Sequence, residues 1–80
     1  MKIVMRDHRK FHGTPIQIVR AMQDIAFGAQ GLSVRKYIEW VAENTRQFDG
    51  IELAIKGETD DELAASLVDE MLRAGLTVRL

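Results

Sequence analysis

Ile51-Glu52-Leu53-Ala54-Ile55-Lys56-Gly57-Glu58-Thr59-Asp60-Asp61-Glu62, with its continuation to Leu80, decides the fold. Ile51, Leu53 and Ile55 alternate with Glu52, Ala54 and Lys56, the two-residue period of a strand with one dry face. Asp49-Gly50 ahead of it is turn chemistry. Thr59-Asp60-Asp61-Glu62 then spells a capping box and sets three acids at the positive end of a helix dipole. Leu63, Leu67 and Met71, with Ala64, Val68 and Leu72, form the apolar stripe of that helix. Gly75 supplies its stop, with Leu76 spaced to touch Met71 in a Schellman turn. Alternation returns from Leu76 to Leu80. The pattern is strand, helix, strand, and short connections make the two strands parallel with a right-handed crossover.

Working outward, Met1, Ile3 and Met5 alternate with Lys2, Val4 and Arg6, which predicts an opening strand whose second face is largely basic. Asp7 to Gly13 reads as a loop. Thr14-Pro15-Ile16-Gln17 starts a helix, with a threonine N-cap, proline at the first helical position and glutamine closing a capping box. Ile18, Val19, Met22, Ile25 and Ala26 give that helix its stripe to about Phe27, and Gly28 or Gly31 can end it. Ser33 caps the next helix, along which Val34, Tyr37, Ile38, Val41, Ala42 and Phe48 trace one face. The expectation is one α+β domain over residues 1–80, in the order β-α-α-β-α-β. Its three-stranded mixed sheet has the first strand antiparallel to the others and the helices packed on one face. The second face stays open and mildly basic, carrying Lys2, Arg6, Glu52, Lys56, Thr77 and Arg79.

Eighty residues with 46% hydrophobic and 29% charged content belong to a globular chain with a single core. No cysteine is present, which removes disulfides, thiolate metal sites and cysteine nucleophiles. No apolar run approaches the roughly 20 residues of a membrane span, and Met1–Arg6 is too short and too charged for a signal peptide. A cytoplasmic, soluble protein without a membrane partner is expected. Eleven Lys and Arg balance twelve Asp and Glu, so any contact with nucleic acid needs a local patch.

The best candidate for such a patch is Arg6-Asp7-His8-Arg9-Lys10-Phe11-His12-Gly13-Thr14, where cations and two histidines precede a helix N-terminus that favours anions. With Lys2, the residues Arg6, His8, Arg9, Lys10, His12 and Thr14 form the candidate anion or nucleic-acid contact, set against a plain solvated loop. His8 and His12 with Asp7 could in principle hold a metal, but their spacing suits helical ligands more than a loop, and no cofactor is called for. Trp40 borders the second helix's stripe and is either a rim residue of the core or an exposed anchor. Trp40, Lys56 and Arg79 are the candidate contacts for a protein partner. Asp60, Asp61 and Glu62 are accounted for by the helix start. Thr14 and Ser33 are committed to caps, and Ser66 has no evident base, so no nucleophile is set up and an enzyme is not expected.

Gly31-Leu32-Ser33-Val34-Arg35-Lys36-Tyr37-Ile38 resembles the turn and second-helix start of ribbon-helix-helix DNA-binding domains of bacterial repressors and antitoxins, and the resemblance spans about residues 1–46. It implies a strand that pairs with its dimer mate and reads the major groove, which would fall to Lys2, Val4 and Arg6, with phosphate contacts near Gly31 and Ser33. The seven residues from Asp7 to Gly13 exceed that family's usual strand-to-helix connection, and the unit after Gly50 has no counterpart in the minimal fold. Two functions follow: a non-catalytic protein-interaction or regulatory module, or a small DNA-binding regulator using the basic residues of the first strand and loop. The chain is expected as a monomer or a homodimer.

Overall fold

The computed structural model describes residues 1–80 as three helices beside a three-stranded sheet. Strand β1 (Lys2–Met5) turns back into β2 (Lys10–His12), and helices α1 (Pro15–Asp24), α2 (Val34–Asp49) and α3 (Asp60–Arg73) precede β3 (Thr77–Arg79). The sheet order is β2-β1-β3 and both pairings are antiparallel. The helices, the opening and closing strands, and the antiparallel run of the first strand against the last are as expected. The middle strand is not.

Two corrections account for the difference. The expected loop from Asp7 to Gly13 contains β2, whose Phe11 lies opposite Ile3. A hairpin turn joins it to β1: the His8 N–H donates to the Met5 carbonyl at 3.0 Å and the Met5 N–H to the Arg9 carbonyl at 2.8 Å. His8 takes a left-handed φ of 71°, a position where glycine is usual and where its absence hid the turn.

The expected strand from Ile51 to Lys56 is extended but pairs with no strand, so the sheet is antiparallel and not mixed. It lies along α3 instead. The Ala54 N–H donates to Glu70 Oε1 at 2.7 Å, Lys56 N–H to Ser66 Oγ at 2.8 Å, and Glu58 N–H to Glu62 Oε1 at 3.1 Å. Arg73 reaches back to the Glu52 carbonyl at 3.2 Å. The predicted alternation survives as burial, since Leu53 is in the core, Ile51 and Ile55 are half-buried, and Glu52, Ala54 and Lys56 are exposed.

The caps follow the sequence closely. Thr14 and Thr59 form full capping boxes with Gln17 and Glu62, and Ser33 Oγ accepts from the Lys36 N–H. At the end of α3 the Leu76 N–H bonds the Met71 carbonyl and the Gly75 N–H the Leu72 carbonyl, completing the Schellman turn. Helix α1 stops at Asp24, short of Phe27, because the buried Gln23 amide donates to the Ala29 and Leu32 carbonyls and gathers the connecting loop. Phe27 is left 97% exposed.

The core lies between the inner face of the sheet and the helices. Ile3, Ile18, Val19, Ile38, Leu67, Val68 and Met71 are its fully enclosed large side chains. Phe48 leaves the expected α2 face and is 80% exposed; Thr45, one turn after Val41, takes the inward position.

Candidate functional site

Residues directly opposite one another in an antiparallel pair share a face. Ile3, Phe11 and Arg79 therefore share the inner side with Met5 and Thr77, while Lys2, Val4, Lys10, His12 and Val78 share the outer side. Leu80 follows Val78 by alternation and donates its N–H to the Lys2 carbonyl at 2.9 Å. The open face thus differs from the expected one. Lys2 is on it. Thr77 is buried, its hydroxyl donating to the Val4 carbonyl at 2.7 Å, and Arg79 belongs to the inner side at the sheet edge. Glu52 and Lys56 lie off the sheet along α3, and Arg6 lies in the hairpin turn. The cause is a one-residue shift of phase at the end of α3. The Gly75 turn packs Leu76 against the core, so Thr77 enters the strand facing inward and Val78 faces out.

The candidate cations are sorted by this geometry into two groups. Lys2, Lys10 and His12 stand on adjacent strands of the outer face, with Lys2 opposite His12 and Val4 opposite Lys10. Arg6, His8 and Arg9 are in the turn, where Arg9 Nε pairs with Asp7 Oδ2 at 3.2 Å. Thr14 is held in its capping box, its N–H donating to Gln17 Oε1 and its Oγ1 accepting from the Gln17 N–H. Val78 and Leu80, at 60% and 62% exposed, add apolar surface to the outer face. None of its strand residues is acidic.

β1 is paired on both sides, so it has no free edge for a second copy. Trp40 is 39% exposed and stacks on Tyr37 with ring centroids 5.9 Å apart. Trp40, Lys56 and Arg79 belong to three different parts of the fold, namely α2, the extended segment and the β3 edge.

A cleft of about 440 Å³ opens between the hairpin and α2, and sequence reasoning missed it. One wall is a ridge of α2 at four-residue spacing: Tyr37, Val41, Thr45 and Asp49. The facing wall is the hairpin, with Met5, Phe11, Arg6 and Arg9, and Met22 and Met71 form the floor. Burial pushes the Tyr37 hydroxyl up to about 12. The signal available in the sequence was this ridge, where a threonine and an aspartate continue an apolar stripe. Its opposite wall depends on β2, which the sequence concealed.

No helix is long and apolar enough to cross a membrane. Family models, curated proteins and solved structures were compared with the chain and none matches, so its own residues carry the functional argument.

Proposed function

We propose that this chain is a non-catalytic binding module that holds an acidic segment of another protein on the outer face of its sheet. The observation that carries this reading is the composition of that face: Lys2, Lys10 and His12 set around Val4, Val78 and Leu80, with no acidic strand residue among them. Exposed aliphatic side chains give a partner area to cover, and the ammonium groups favour one with carboxylates at its rim. A cytoplasmic setting agrees with this reading.

The test is a titration of the isotope-labelled chain with a synthetic peptide alternating valine and glutamate, followed by amide chemical shifts. Saturable shifts confined to β1, β2 and β3, abolished in the Lys2→Glu/Lys10→Glu variant, are expected. A flat titration, or shifts centred elsewhere, overturns the proposal. Duplex DNA run in parallel addresses the regulator reading, since the same face and the hairpin turn carry the cations. Tighter binding of DNA than of peptide, with affinity falling steeply as salt rises, would replace the protein partner with DNA.

A further inference from the structure

The cleft beside α2 has the features of a built small-molecule site. Its volume of about 440 Å³ lies within the span of ordinary ligand pockets. Tyr37 and Thr45, only 3% and 8% exposed, both line it. Neither hydroxyl has a hydrogen-bond partner in the chain, yet no enclosed side-chain oxygen or nitrogen is left unsatisfied, so neither oxygen is sealed off, and both belong to residues that line the cleft. Two free hydroxyls among thioether, aromatic and aliphatic side chains provide direction where packing alone needs none.

The rim adds charge of both signs. Asp7 and Arg9 neutralise each other, whereas Arg6 on the hairpin wall and Asp49 on the α2 wall take part in no ion pair. A simple anion uses Arg6 and meets Asp49 unfavourably; a simple cation does the reverse. A head group that carries both charges suits both walls. Met22 and Met71 offer polarizable surface to an aromatic body, and the two hydroxyls can accept from a donor on its ring.

We propose that this cleft binds a free aromatic α-amino acid with a ring donor, tryptophan or tyrosine. Its carboxylate meets Arg6, its ammonium meets Asp49, and its ring lies over Met22 and Met71 with the ring N–H or O–H on Thr45 or Tyr37. The site is separate from the outer sheet face, so its occupancy can be tested independently of the protein-binding reading.

The experiment is calorimetric and chemical-shift titration of the full chain with L-tryptophan, L-phenylalanine, indole-3-propionate and tryptamine. Tryptophan is expected to bind saturably, with shifts at Arg6, Val41, Thr45 and Asp49, and each of the other three to bind about ten-fold more weakly. Arg6→Gln and Asp49→Asn alter exposed residues and keep the fold; each should erase the preference for tryptophan over the analogue lacking the charge it serves. Thr45→Val, close in volume, should narrow the gap between tryptophan and phenylalanine. Absence of saturation at millimolar tryptophan and at millimolar tyrosine overturns the proposal. So does equal binding of indole-3-propionate, tryptamine and tryptophan, which would show an apolar cavity that does not recognise the head group.

Discussion

Replacing Ser66 by alanine tests the least expected part of this fold, the attachment of Ile51–Lys56 to a helix and not to a sheet. Ala54, Lys56 and Glu58 donate to Glu70, Ser66 and Glu62. Two extended residues advance about 6.6 Å and four helical residues about 6.0 Å, so successive rungs slip by only about 0.6 Å. That near match allows one side-chain oxygen per helical turn to satisfy every second N–H of an antiparallel extended chain. Ser66→Ala removes the central rung while keeping a good helix former in α3. The Lys56 N–H is open to water, so the loss is at the lower end for a neutral hydrogen bond, about 0.5–1 kcal/mol. For a chain of this size that lowers Tm by about 3–6 °C. The sharper readout is hydrogen exchange: the Lys56 amide should exchange up to about five-fold faster in Ser66→Ala. Ser66→Thr, which keeps the hydroxyl, should restore it. Unchanged protection of Lys56 in Ser66→Ala would refute the ladder and return this N–H to a neighbouring strand, as its alternation alone implies.

Gly57 has φ +136°, and a Cβ there would stand 2.7 Å from Glu62 Cβ and 3.1 Å from Leu63 N, so Gly57→Ala should cost about 2–3 kcal/mol in denaturant unfolding. Glu62 is held below its usual value of 4.5 by the Thr59 and Glu58 N–H groups, and Glu70 by Arg73 first and then the Ala54 N–H. Their contribution is complete above the unfolded value and is lost as pH falls through the lowered native ones; thermal melts from about pH 5 to about pH 2 should show this, with a flatter profile in Glu62→Gln/Glu70→Gln. Tyr37 is the only tyrosine, so tyrosinate absorbance should titrate near 12 in the folded chain and near 10 once unfolded. Stability then falls as pH rises between those values, because the unfolded state loses its proton first. Phe48→Ser should change stability by less than about 0.5 kcal/mol, and a Tm drop that grows as protein concentration rises would instead show that Phe48 is covered by a second copy.

The legible parts of the fold are those settled within a few residues. Thr14 with Gln17, Thr59 with Glu62, Ser33 with Lys36, and Gly75 with Leu76 and Met71 each complete a local set of backbone hydrogen bonds, and each is found as expected. Alternation is weaker information. It shows which side chains are buried, and for Ile51, Leu53 and Ile55 it does so correctly, but it does not say what meets the backbone. Glu70, Ser66 and Glu62 take that role, and on a helix they look like ordinary surface residues. With Ile51–Lys56 held by α3, the place beside β1 falls to Lys10-Phe11-His12, a run too short and too polar for its period to show.

That exchange of strands shapes both candidate sites. In a loop, Lys10 and His12 would be two more solvated charges. Paired to β1 with Phe11 turned inward, they join Lys2 on one flat face, while Phe11 and the turn at Arg6 become the second wall of the cleft along Tyr37, Thr45 and Asp49. The cationic face and the amphoteric cleft are therefore two sides of a single hairpin. A variant that unpairs it, such as Phe11→Pro, removes both the residue's N–H and the side chain facing Ile3, and should abolish peptide binding on the sheet and tryptophan binding in the cleft together. Lys10→Glu, which reverses one outward charge and leaves the inward side intact, should separate them by weakening the peptide alone.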